Sequence, residues 1–214
     1  MLFLYILYPE ICTLYGDKGN TMYLQKCLPD AEFVTTGLNE KPLFLKENID
    51  MVYMCSMSEK SQELVLDRLM QYKDEIAACM KDGKALFLLV GNSMELLGDY
   101  IKREDGTRVT GLGVVPGMYS VRQAPNRFNT LIKAKFNDMT LIGYTSRFAH
   151  TYGIPDDMTF CKVEIGQGSN PDTMNEGICK NRVIATYIHG PLLIQNPDFV
   201  HYLLEKLDAP MKEI

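Results

Sequence analysis

The chain has 214 residues, 46% hydrophobic and 23% charged, with a formal net charge of -5. That is the makeup of an ordinary globular protein, long enough to bury its core as one domain covering 1–214. The mixed, slightly acidic charge offers no basic stripe for phosphates, which excludes nucleic acid as an expected partner, and no apolar run approaches the ~18 residues of a membrane-spanning helix.

In chain order, Leu2 to Tyr8 is a short apolar run followed at once by Pro9-Glu10, with no basic leader and no small-residue cleavage site, so it reads as a buried strand rather than a signal peptide. A helical stretch from about Asp17 to Leu28 follows, then strand-like Glu32 to Thr36 and Met51 to Met54. Alternation of this kind is the rhythm of a parallel sheet. The strongest helix pattern starts near Ser58 and Ser61. It places Val65, Leu69, Tyr72, Ile76 and Met80 at spacings of three and four, with Gly83 as a C-terminal cap.

Ala85 to Val90 is apolar without alternation, as expected of a central strand covered on both faces. Gly91-Asn92-Ser93-Met94-Glu95 then turns into a helix expected to open at Leu96-Leu97-Gly98. Thr130 to Phe136 and Met139 to Tyr144, separated by Asn137-Asp138, predict a hairpin that extends the sheet in antiparallel fashion. Phe160 to Ile165 and Arg182 to Ile188 are further strands, and Asn196-Pro197-Asp198 opens a closing helix that runs to about Leu207. Glu104 to Gln123 and Gly166 to Gly177, rich in Gly, Pro and Asn, are expected to be irregular loops.

The six cysteines (Cys12, Cys27, Cys55, Cys79, Cys161 and Cys179) form no C-x-x-C pair and have no histidine at ligand spacing. No metal or cofactor is expected, and the scatter suits reduced thiols in the cytoplasm better than a disulfide framework.

In an α/β protein, ligands bind where parallel strands end and turns expose backbone amides. Three pieces should converge there: Cys55-Ser56-Met57-Ser58, the Gly91 turn, and His189 in Thr186-Tyr187-Ile188-His189-Gly190-Pro191. The turn has the form of a nucleophile elbow, but Gly91 has no side chain with which to attack.

Tyr8-Pro9-Glu10 through Leu14-Tyr15-Gly16-Asp17-Lys18-Gly19-Asn20, with Ala185 to Leu193 and Asn196-Pro197, resembles the cobyric-acid-synthase-like branch of class I glutamine amidotransferases. Within it, the chain is similar to the amidotransferase subunit of lipid II isoglutaminyl synthase, in order from residue 8 to about 205. The resemblance implies a flavodoxin-like α/β fold: a mostly parallel central sheet flanked by helices, with an antiparallel extension. It also implies a role in amidating a cell-wall (peptidoglycan) precursor beside an ATP-dependent, Mur-ligase-like subunit.

In that family a cysteine within C-G-G-x-Q, followed by L-L-G, attacks the glutamine carboxamide, and the histidine of Y-L-H-G-P is its base. His189 matches the histidine, and laying Leu96-Leu97-Gly98 on L-L-G puts Gly91 at the cysteine, Asn92 and Ser93 on the glycines, and Glu95 on the glutamine. The family's oxyanion glycines fall on Cys55, Ser56 and Met57, with Asn92 beside them, and G-F-E-N-H falls on Gly143-Tyr144-Thr145-Ser146-Arg147. Arg127 is the candidate for the arginine that holds the substrate carboxylate.

Covalent amide hydrolysis needs a nucleophile within reach of its base, so these replacements predict a chain that has lost glutamine hydrolysis. Two alternatives stay open. Ser93 partly mimics a G-x-S-x-G elbow, and Cys55 lies on the adjacent loop, so either is a candidate substitute nucleophile with His189; their bland readings are a helix-capping serine and a small strand-end residue. A module that binds glutamine, another amino acid or a cell-wall fragment without chemistry is the other alternative. His150 and His201 are expected on the surface.

Overall fold

A computed structural model describes residues 1–45 and 48–209. In chain order the elements are β1 (Phe3–Leu7), α1 (Lys18–Cys27), β2 (Glu32–Thr36), β3 (Met51–Met54), α2 (Glu59–Met70), α3 (Lys73–Asp82) and β4 (Leu86–Val90). They continue with β5 (Tyr100–Lys102), β6 (Arg108–Thr110), β7 (Tyr119–Arg122), β8 (Phe128–Phe136), β9 (Met139–Arg147) and β10 (Ala149–Tyr152). Last come β11 (Thr159–Ile165), β12 (Asn175–Lys180), β13 (Val183–Thr186), α4 (Leu192–Gln195) and α5 (Pro197–Lys206).

Nine strands form the main sheet in the order β2-β1-β3-β4-β13-β12-β11-β8-β9. The first five run parallel, and β12, β11, β8 and β9 extend them antiparallel. The apolar run at β4 is the parallel centre, with every residue of the strand buried. The predicted hairpin is β8–β9, and Asn137 takes the left-handed conformation its turn needs (φ 51°).

The β9 edge of this sheet is covered over part of its length. Tyr144 and His189 exchange both backbone hydrogen bonds (2.8 and 3.3 Å), so the segment after β13 seals β9. Gly143 is needed for that approach, because a Cβ there would fall within 3.0 Å of both the His189 carbonyl and the Ile188 side chain. One residue pair further along, the Asn196 side chain binds the Ile142 backbone twice, accepting from its N–H (2.8 Å) and donating to its C=O (2.9 Å). At Ile142 and Tyr144 the outer backbone groups of this edge strand are thus satisfied internally.

Four expectations are corrected. The long helix is two helices, because Tyr72 leaves helical geometry (φ -116°, ψ 16°) and starts a new turn at Lys73. No helix opens at Leu96-Leu97-Gly98: residues Gly91–Leu97 form a 3-10 turn and the chain passes into β5. The carbonyls of Leu96, Leu97 and Gly98 accept from Leu112, Val115 and Gly113, so they are unavailable to a following helical turn. Glu104 to Gln123 holds β6 and β7, which join β5 and β10 in a second sheet ordered β10-β7-β5-β6. His150 lies in β10 and is buried, against the Phe128 ring (4.0 Å) and the Gln123 amide (3.0 Å), and burial lowers its pKa to about 4. His201 is exposed on α5, as the sequence suggests.

α2 clamps the second sheet. Glu63 receives hydrogen bonds from Arg103, after β5, and from Arg122 on β7, while Gln62 accepts from the same Arg122.

Candidate functional site

β3, β4 and β13 are adjacent and parallel, so the segments leaving their C-terminal ends meet. These are Cys55-Ser56-Met57, the turn at Gly91, and His189. Gly91 has φ +70°, the left-handed backbone of a sharp turn at the end of β4.

What faces the imidazole comes from the neighbouring strand end and from the loop before α1. Ser56 Oγ lies 3.1 Å from His189 Nδ1 and donates to Asp17 Oδ2 at 2.9 Å, and that carboxylate oxygen is itself 3.4 Å from Nδ1. All three residues are buried. The hydrogen bonds are mutually consistent when Nδ1 donates to Ser56 Oγ and Ser56 passes its proton to the carboxylate, a tautomer assigned from the network. In that arrangement one ring nitrogen serves both partners. A relay of the nucleophile, base and acid kind needs both nitrogens. Tyr15 and Tyr144 pack their rings 4.8 and 5.8 Å from the imidazole.

Gly91 has no room for a side chain. A Cβ built on it would lie well inside 3.0 Å of both Ser56 Oγ and His189 Cε1, and 2.9 Å from Ser56 Cβ.

Two of the oxyanion positions, Ser56 and Met57, have their amides engaged. Met57 N–H donates to Asn92 Oδ1 (3.0 Å) while Asn92 Nδ2 returns a bond to the Met57 carbonyl (2.8 Å). Ser56 N–H points at Asp17 Oδ2 (3.3 Å), a carboxylate. Neither amide is free to meet a developing oxyanion, which requires preorganised, unoccupied donors.

Neither substitute nucleophile is aimed at His189. Ser93 Oγ is buried and directed at the Val90 carbonyl (2.7 Å) and the Met54 carbonyl (3.2 Å), as a serine in the first turn after a strand often is. Cys55 Sγ donates to the Cys12 carbonyl, and burial, with the Asp17 charge second, pushes its thiol far above the ordinary range, which disfavours the thiolate. Arg127 is exposed and lies over the Phe148 ring (4.6 Å).

Glu95 does structural work. Its carboxylate accepts from Tyr187 Oη (3.0 Å) and Gln62 Nε2 (3.0 Å), tying the elbow to the residues before His189 and to α2; burial raises its pKa. From Tyr187 a line of hydroxyls runs through Thr151 (2.6 Å) to Ser120 (2.7 Å) in the second sheet.

Sequence reasoning passed over Asp17 and did not pair Ser56 with His189. The only signal was the position of Asp17 at the end of a tight loop after the first strand, where a carboxylate reaches the strand ends. Among the described residues no group of His, Cys, Asp and Glu side chains is arranged to hold a metal ion, and no helix is long and apolar enough to cross a membrane.

Residues 5–197 match the family model of the CobB/CobQ-like glutamine amidotransferase domain. The chain is 27% identical over 202 residues to subunit GatD of the glutamine-hydrolysing lipid II isoglutaminyl synthase of Streptococcus pneumoniae, covering 92% of this chain and 77% of that protein. It is 27% identical over 196 residues to the subunit of the same name from Staphylococcus aureus, covering 90% and 79%. Two solved glutamine amidotransferases share the fold. One aligns with a TM-score of 0.64 at 12% identity over 96% of this chain and 99% of its own; the other, from Thermotoga maritima, with 0.55 at 13% over 98% and 86%. With its parallel sheet, its elbow after β4 and its histidine after β13, the chain belongs to the CobB/CobQ-like glutamine amidotransferase family.

Proposed function

We propose that this chain is the amidotransferase-type subunit of a lipid II isoglutaminyl synthase-like assembly, acting in cell-wall precursor amidation, and that it no longer hydrolyses glutamine. It serves as a structural or regulatory partner of an ATP-dependent, Mur-ligase-like subunit, as one domain in the cytoplasm. The observation that carries the loss is Gly91: the elbow keeps its left-handed turn (φ +70°) but presents no atom that can attack a carboxamide. The engaged Ser56 and Met57 amides and the averted Ser93 and Cys55 support it. The kinship with the two GatD subunits supports the assembly.

The test is ammonia release from glutamine by the purified chain, alone and with its ATP-dependent partner. No release above the buffer blank is expected in either case. Glutamine-dependent release that disappears in His189→Ala would overturn the reading.

A further inference from the structure

We infer that Ser56 is the side chain that closes the nucleophile's position, so that Gly91 and Ser56 form a coupled pair in which a thiol at the elbow is tolerated only once the Ser56 side chain is gone. This rests on the loss of hydrolysis proposed above and assigns its physical cause to a second residue.

Two separate obstacles meet a side chain at position 91. One is backbone: φ +70° is strained for any residue with a Cβ, wherever the space. Active enzymes tolerate such strain at nucleophile turns, so it does not by itself exclude a thiol. The other is steric and local. Of the three nearest atoms to a Cβ built on Gly91, two belong to Ser56 and the third is His189 Cε1. Rotating the Ser56 hydroxyl away relieves only one of them, because Ser56 Cβ at 2.9 Å is fixed by its backbone.

That rotation also breaks a buried network. Oγ bridges Asp17 Oδ2 and His189 Nδ1, and without it the Asp17 carboxylate, whose Oδ1 has no partner, would lose its hydroxyl donor. The imidazole is held over the elbow by the same hydroxyl. Ser56→Gly removes both Ser56 atoms from the contested space and releases the hydrogen bond that draws His189 toward it. A single glycine-to-cysteine reversal at the elbow therefore fails, and the pair of changes succeeds.

The experiment compares four full-length chains: unchanged, Gly91→Cys, Ser56→Gly, and both together. Unfolding by urea and the rate at which iodoacetamide alkylates the introduced thiol, located by peptide mass, are read on each. Backbone strain at position 91 and the intrinsic effect of Ser56→Gly cancel in the cycle, leaving the coupling. The expected result is a coupling of about tenfold in the unfolding equilibrium, mid-range for residues in direct contact, with alkylation about tenfold faster in the double variant than in Gly91→Cys. A coupling of zero across the four chains, with the thiol alkylated equally fast in Gly91→Cys and in the double variant, overturns the inference. If a thiol variant does not fold, Gly91→Ala in the Ser56 and Ser56→Gly backgrounds places only the Cβ in the same space, and equal destabilisation in both backgrounds overturns it. Ammonia release by the unchanged chain would sink the functional reading alone, since the cycle reads only the added side chain.

Discussion

Replacing Glu63 by glutamine tests how the second sheet is fastened to α2. Arg103 and Arg122 hold the Glu63 carboxylate, hydrogen bonds from Arg103 first, and lower its pKa from 4.5 to about 2 against the opposing effect of burial. At full value that displacement is worth about 3 kcal/mol of folding stability. The Glu63 side chain is 29% exposed and that of Arg103 36%, so solvent screening reduces the figure to about 1–2 kcal/mol. The carboxylate is depressed in the fold, so its contribution is complete above its unfolded pKa of about 4.5 and is lost as pH falls toward about 2. Urea unfolding of both proteins from pH 7 down to about pH 3 should therefore show a gap that narrows with acid. Some gap persists throughout, because buried Arg122 has lost an anionic partner while keeping Gln62 Oε1 and the Glu59 carbonyl. A gap of constant size across the range would refute the assignment of the stabilisation to Glu63 ionisation.

Glu95→Gln should change the pH profile in the opposite direction. Burial raises this carboxyl, so the native protein loses stability as pH climbs from the unfolded pKa through the raised one, whereas the amide variant stays level; melting curves between about pH 5 and 8 check this. The variant should keep its contacts, because the Tyr187, Thr151 and Ser120 hydroxyls can reverse their donor order. Asn196→Ala removes both bonds to Ile142 and a third to the Leu192 carbonyl, and should cost about 1–3 kcal/mol. Hydrogen exchange at the Ile142 amide should accelerate, and unchanged protection would show that the edge is held by other means.

Much of the main sheet was legible because its signals are local. An unbroken apolar run as short as Leu86–Val90 reads as a strand covered on both faces, and Asn137-Asp138 between two strand-like runs reads as a hairpin. The second sheet was not legible: β5 and β6 are three residues long, too short to show a period, and Gly106 before β6 with Gly111, Gly113, Pro116 and Gly117 after it read as loop. Tyr72 kept the apolar spacing across the break between α2 and α3, which hid it. For the site, the missing side chain at Gly91 and the candidacy of His189 could be read from motif spacing. The meeting of Asp17 with Ser56 and His189 spans residues 39 and 133 positions apart, a tertiary contact that no local pattern records.

The backbone exchange between Tyr144 and His189 joins the two ends of the antiparallel half-sheet, and the histidine supplies one side of that seam. A residue stitched in this way has mechanical employment whether or not any substrate arrives. That employment falls on its peptide group, which any residue but proline could supply, so the seam fixes where the chain runs and leaves the choice of an imidazole to its contacts with Ser56 and Asp17.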